Sequence, residues 1–213
     1  MKQRSLALAL TIALFAGAAY ALGWSTLFTV SSVEIKGTKA VMASTIKIGQ
    51  KLARVEPRAV AAEFEKFDWI ERADLSRNWV SGKVTIFLTE RIPIAMYNDR
   101  AIDSDGVDFA VTTQEVKGLP RIQGISIESA VAASAFFMGL PPEIADSVSL
   151  IKIRGAQSYL LEIVTGRQSI EVLWGQDEEN ALKTKVYKAL IAQPENKTIR
   201  RIDLSAPHAP IVK

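Results

Sequence analysis

The sequence predicts an α+β protein in three successive parts: an N-terminal single transmembrane helix, a domain of order β-α-α-β-β, and a mixed α/β domain with a mainly antiparallel sheet. Three observations predict it. The run from Ser5 to Leu22 carries no charge. Residues of about 28–92 alternate like strands at both ends and repeat at helical spacing between them, and residues of about 93–213 hold further alternating stretches broken by two helical ones. With 213 residues, 48% hydrophobic and 23% charged, the chain is long enough for one or two domains with a real core.

Charge and composition exclude several function classes. The formal charge is +3, but Lys2 and Arg4 precede the apolar run and the residues after 24 are close to balanced. That balance excludes a strongly basic domain that holds DNA or RNA by charge. Without cysteine there is no disulfide framework, thiol nucleophile or cysteine-bound zinc. One histidine, His208, leaves too few imidazoles for a histidine-rich metal site. No cofactor and no small-molecule substrate is expected.

As a helix, the run from Ser5 to Leu22 rises about 27 Å, close to a hydrocarbon core of about 30 Å. Tyr20 and Trp24 suit the membrane interface, and Lys2 and Arg4 place residues 1–4 in the cytoplasm and everything after Trp24 outside. A basic start, an apolar Leu6–Ala16 stretch and the Ala19-Tyr20-Ala21 triplet also describe a cleavable signal peptide. Both readings export the rest of the chain.

In the first exported domain, Val33 to Gly37 alternates and closes on glycine. Ser44 is expected to cap a short helix through Leu52. Pro57, tolerated at a first helical position, opens a second helix whose Val60, Phe64 and Phe67 form one buried face. Ala73 to Arg77 is a strand, Asn78 to Gly82 a turn, and Val84, Ile86 and Leu88 alternate with Thr85, Phe87 and Thr89 in the last strand. Phe64 and Trp69 are expected in the core.

These residues carry a resemblance. Phe28-x-Val30-x-x-Val33-x-Ile35-x-Gly37, Val55-x-Pro57-x-x-Val60, Trp69-Ile70-x-x-Ala73 and Val84-x-Ile86-x-Leu88-x-Glu90-Arg91-x-Pro93 resemble the polypeptide-transport-associated (POTRA) domain of the FtsQ/DivIB cell-division family. The resemblance places a POTRA domain at 28–92 and the family's β domain at 93–213.

In that second domain, Ala95–Tyr97, Ala101–Asp103 and Asp108–Ala110 read as short strands around an Asp103-Ser104-Asp105-Gly106 turn, and Gly118 to Gly124 as a loop. Glu128 to Met138 is a helix stopped by Gly139 and Pro141-Pro142. Ser149–Arg154, Tyr159–Val164 and Ile170–Trp174 are strands, the last two joined by a hairpin at 165–168. Asp177 caps a helix to about Gln193, with Leu182, Val186, Ala189 and Leu190 on one face. Ile199–Leu204 and Ala209–Val212 close the domain as strands. Trp174-Gly175 and Ile202-Asp203-x-Ser205-x-Pro207-x-x-Pro210-Ile211-Val212 extend the FtsQ/DivIB resemblance over nearly the whole chain.

Catalytic patterns are sparse. Ser44-x-x-Lys47 and Ser149-x-x-Lys152 match the serine–lysine element of penicillin-recognising enzymes without its companion elements. Asp99, Asp103, Asp105 and Asp108 surround Gly106, but the twelfth position from Asp103 is Gln114 where a calcium loop needs glutamate. Asp203, Ser205 and His208 hold the triad residue types without a nucleophile elbow. No catalytic or metal-binding residue is expected.

The resemblance therefore implies a non-enzymatic bitopic scaffold of the bacterial division machinery. It would be retained in the lipid bilayer through residues 5–24, single-pass in the cytoplasmic membrane at the septum, with divisome membrane proteins of the FtsB and FtsL type as partners. The alternative is a secreted POTRA-type chaperone or periplasmic hydrolase released by signal cleavage. For a scaffold, the expected partner site is the edge left by the last strand, where a partner adds a strand of its own. Its candidate residues are Ile211 and Val212 on that strand and Ile202 and Leu204 on the neighbour, with Arg200, Arg201 and His208 as polar neighbours. Ile202 and Leu204 read equally well as core. Pro207 and Pro210 each remove a donor and limit unwanted pairing.

Overall fold

The computed structural model describes residues 2–23, 28–111, 116–155, 157–166 and 168–213, with side chains of the first helix described over 6–20. Trp24, Gln114 and Arg167 lie outside the described residues, as do the side chains of Lys2 and Arg4. The chain divides into two compact units, Met1–Arg91 and Ile92–Lys213.

The first unit opens with helix α1 (Lys2–Gly23). From Leu6 to Phe15 its large apolar side chains are all at least 61% exposed. Among the described residues, no helix is long and apolar enough to cross a membrane. The expected transmembrane helix at 5–24 is therefore not found among the described residues.

Three strands follow in the order β1-β3-β2: β1 (Ser32–Lys36), β2 (Ile70–Arg77) and β3 (Lys83–Glu90). β3 is central, parallel to β1 and antiparallel to β2. Alternation along β3 sends Val84, Ile86 and Leu88 into the core. Helix α2 (Pro57–Phe64) buries Val60, Ala61 and Phe64 and packs on β2. Trp69 is buried beside them.

Two expectations are corrected here. Residues 44–51 form no α-helix, and only a 3-10 turn, Leu52–Arg54, follows them. The Gly49 N–H donates to the Val30 carbonyl at 2.8 Å, and the Val30 N–H donates to that of Gln50 at 2.8 Å. The stretch thus pairs with the incoming chain, a tertiary demand that overrides its apolar period. Phe67, expected on the buried face of α2, is 48% exposed because that helix ends at Phe64.

The second unit is a nine-stranded mixed sheet: β12-β11-β10-β9-β8-β7-β4-β5-β6. Its strands are β4 (Ala95–Tyr97), β5 (Arg100–Ile102), β6 (Asp108–Ala110), β7 (Arg121–Gln123), β8 (Val148–Arg154), β9 (Ser158–Thr165), β10 (Gln168–Gly175), β11 (Arg201–Asp203) and β12 (Ile211–Val212). Most neighbours are antiparallel, while β4–β7, β7–β8 and β10–β11 run parallel. Helices α3 (Ile127–Gly139) and α5 (Asn180–Ile191) supply Phe136 and Tyr187 to the core, where Phe136 stacks on Tyr159 with ring centres 4.0 Å apart. Ser126 caps α3, its hydroxyl accepting from the Ser129 N–H.

The sequence reading missed β7 inside its 118–124 loop and the short helix α4 (Pro142–Ala145) beyond Gly139. It also started α5 too early. Asp177 instead accepts from the side chain of Asn180, the first residue of that helix. The buried face of α5 is Lys183, Thr184 and Tyr187, with Leu182, Val186 and Leu190 partly buried and Ala189 exposed.

Candidate functional site

The most distinctive surface of the second unit is the β12 end of its sheet. β12 is outermost, antiparallel to β11, with Ile202 opposite Val212 and Asp203 opposite Ile211. Its side chains stay in solvent: Ile211 is 55% and Val212 38% exposed. Beneath it, Ile202 and Leu204 are fully buried. Of the two readings open for that pair, the core reading holds for their side chains, because β11 turns them toward the face covered by α5 and leaves Arg201 and Asp203 on the other.

Register assembles the exposed face. Leu160 lies opposite Leu173, Leu173 opposite Asp203 and Asp203 opposite Ile211, so one row crosses β9, β10, β11 and β12. This row runs along a groove of about 510 Å³ that Arg154, Arg201 and Lys213 also line. In the next row Glu171 holds Arg201 at 3.2 Å and Lys152 at 3.4 Å. The groove floor is thus Leu173 and Ile211 over buried Leu160, interrupted by Asp203, and its rim is rich in cations. Arg200 is exposed just before β11, and its carbonyl accepts from the Glu171 N–H at 2.9 Å. His208 stands apart from the groove: its Nε2 is 3.6 Å from Glu179, which precedes α5.

Sequence reasoning missed Arg154, Leu160, Leu173 and Lys213. Strand alternation alone marks 171/173 and 201/203 as faces, but only the parallel pairing of β10 with β11 puts those faces together.

The weak catalytic patterns are occupied otherwise. Ser149 donates to the Glu162 carbonyl at 3.2 Å, while Lys152 engages Glu171, so the two do not meet. Ser205 gives both its N–H and its hydroxyl to Asp203, at 2.9 and 2.6 Å, in a tight turn. Asp103 accepts from the N–H groups of Asp105 and Val107, and Asp108 pairs with Arg100. Among the described residues no cluster of carboxylates or histidine is arranged to hold a metal ion.

Comparison with known proteins places this geometry. The family model described as "Cell division protein FtsQ/DivIB, C-terminal" matches residues 93–205, and that described as "POTRA domain, FtsQ-type" matches residues 28–91. The chain is 27% identical to the cell division protein FtsQ of Streptomyces collinus over 95% of its own length and 84% of the relative's. It is 28% identical to that of Streptomyces venezuelae over 92% and 79%, and 30% identical to that of Mycolicibacterium smegmatis over 99% and 66%. These likenesses give no support to a secreted chaperone or hydrolase. The two matched domains follow one another across nearly the whole chain, and the chain belongs to the FtsQ/DivIB family of cell-division proteins, a non-enzymatic family of the divisome.

Proposed function

We propose that this protein is a bitopic scaffold of the bacterial divisome, anchored in the cytoplasmic membrane through residues 5–24 with its N-terminus in the cytoplasm. It gathers membrane proteins of the FtsB and FtsL type at the septum and helps control septal peptidoglycan synthesis. The observation that carries the reading is the outer edge of β12, which pairs with no other strand among the described residues. A sheet edge offers a row of backbone donors and acceptors, and proteins cover or blunt such edges unless they are used. Strand addition takes affinity from main-chain hydrogen bonds and specificity from neighbouring side-chain pockets.

Ile211 and Val212 line that edge, Ile202 and Leu204 anchor the strand beneath it, and Arg200, Arg201 and His208 flank it. The groove beside it suits a partner segment with an apolar side chain for the Leu160–Leu173–Ile211 floor and an acid for Arg154, Arg201 or Lys213. The exposure of the mostly apolar α1 side chains described over 6–20 supports the anchor, since a helix apolar all round is stable only when buried in protein or lipid.

Two measurements test this. Membrane-extracted protein should retain an intact N-terminus by mass; a species beginning near Leu22 refutes anchoring. Titration of the full chain with an FtsB-type partner should give saturable binding that Arg201→Glu weakens. No binding, or binding indifferent to that change, removes the groove from the site.

A further inference from the structure

The first unit presents an apolar tip that the scaffold reading does not use. β1 runs parallel to β3 with Ser32 opposite Lys83, so the turn between β2 and β3 lies at the leading end of β1. There the Ser31 N–H donates to the Gly82 carbonyl at 2.9 Å and its hydroxyl to that of Ser81 at 2.7 Å. Trp79 meets the ring of Phe28 edge-on, with centres 6.1 Å apart.

The turn is tightly built. The side-chain oxygen of Asn78 accepts from the N–H groups of Val80 and Ser81, both at 3.0 Å, and the Gly82 N–H donates to the Asn78 carbonyl at 2.9 Å. This frame holds Val80 out at 99% exposure. The 3-10 turn belongs to the same end, since the Leu52 N–H donates to the Phe28 carbonyl at 3.1 Å. Arg77 donates to the carbonyls of Leu52 and Val55 while its guanidinium lies 5.3 Å from the Trp79 ring centre. Arg54 is exposed beside them.

A single exposed valine is ordinary; its place in the chain is what matters. α1 ends at Gly23, and the chain from there to Phe28 reaches at most about 18 Å. The 3-10 turn also comes within 8 Å of α1 between Cα atoms. Whatever surrounds the end of α1 is therefore within reach of Phe28, Trp79 and Val80. Tryptophan and aliphatic side chains next to arginines have the composition of a contact with lipid headgroups, where aromatic rings sit at the interface and cations meet anionic lipid. The carboxylate of Glu34 on β1 is already held by Lys83 at 2.7 Å.

We propose that the Trp79–Val80 tip docks into the headgroup region of the membrane, with Arg54 and Arg77 facing anionic phospholipid, and so fixes the POTRA domain against the bilayer. The inference rests on the anchoring of α1.

Because the chain has no cysteine, Val80→Cys creates a unique site for an environment-sensitive fluorophore on the full chain. Val41→Cys is the control, since Val41 is also fully exposed but follows the opposite end of β1. Both proteins are reconstituted in vesicles of phosphatidylglycerol and phosphatidylethanolamine and separated by flotation. The expected result is a blue-shifted label at 80, quenched several-fold more by doxyl-labelled lipid than the label at 41, with the difference reduced by Arg54→Glu. A floating chain whose two labels are equally aqueous overturns the docking and leaves the anchor standing. A chain that does not float overturns both. A label at 80 shielded only after a partner protein is added assigns the tip to protein and overturns the lipid contact.

Discussion

Arg201 and Lys213 exchange their backbone hydrogen bonds, the Lys213 N–H donating to the Arg201 carbonyl at 3.0 Å and the Arg201 N–H to the Lys213 carbonyl at 3.1 Å. In an antiparallel ladder such pairs alternate with pairs whose own groups point away from each other. Val212, opposite Ile202, therefore turns its N–H and C=O to the free edge, while Ile211 turns its own toward Asp203. Pro210, with no N–H, ends the row of donors.

Proline substitution separates these two roles. Val212→Pro removes an outward donor and should weaken binding of an FtsB-type partner up to about tenfold, the value of one hydrogen bond, with little change in melting temperature. Ile211→Pro removes a donor used inside the sheet and should also lower the melting temperature. Titration and melting of both variants check this; full-affinity binding by a folded Val212→Pro protein would rule out strand addition at this edge.

The POTRA core gives a second contrast. Phe64 is 2% exposed, and Phe64→Ala should cost about 3–5 kcal/mol of stability as a large-to-small core change. Phe67→Ala, at a half-exposed position beyond the helix end, should stay within about 1 kcal/mol. Denaturant unfolding of both variants decides. In the cell the first should also lose septal localisation through loss of fold.

Lys183 makes stability depend on alkaline pH. It is 2% exposed, and its Nζ donates to the Gln176 carbonyl at 2.8 Å. Burial lowers its pKa below the usual 10.5, against the opposing pull of Glu178, Glu179 and Asp177. The folded protein thus binds this proton less tightly than the unfolded chain. The resulting penalty is full below the folded pKa and is relieved as pH rises from there toward 10.5. Tyr159 and Tyr187, whose pKa values burial raises above 10.0, act with the opposite sign near the top of that window, so urea unfolding should show the wild type gaining stability relative to Lys183→Met as pH rises across it. Identical slopes for the two proteins would mean that Lys183 is not responsible.

Local pattern determined much of this protein. The alternation of Val84, Ile86 and Leu88 specifies a strand with one buried face, Pro57 and the Val60–Phe64 spacing specify α2, and the uncharged run after Arg4 specifies an apolar helix, because side-chain direction follows backbone period. The POTRA and β-domain motifs were legible for the same reason: they record which positions face inward. Tertiary structure alone decided what no local period contains. The pairing of Val30 with Gly49 and Gln50 turned an expected helix into turns, and the parallel pairing of β10 with β11 set the cationic groove. The phase of Lys213 against Arg201 chose Val212 as the residue facing outward. Each depends on hydrogen bonds between segments remote in sequence, and a shift of one residue in such a register would exchange buried side chains for exposed ones.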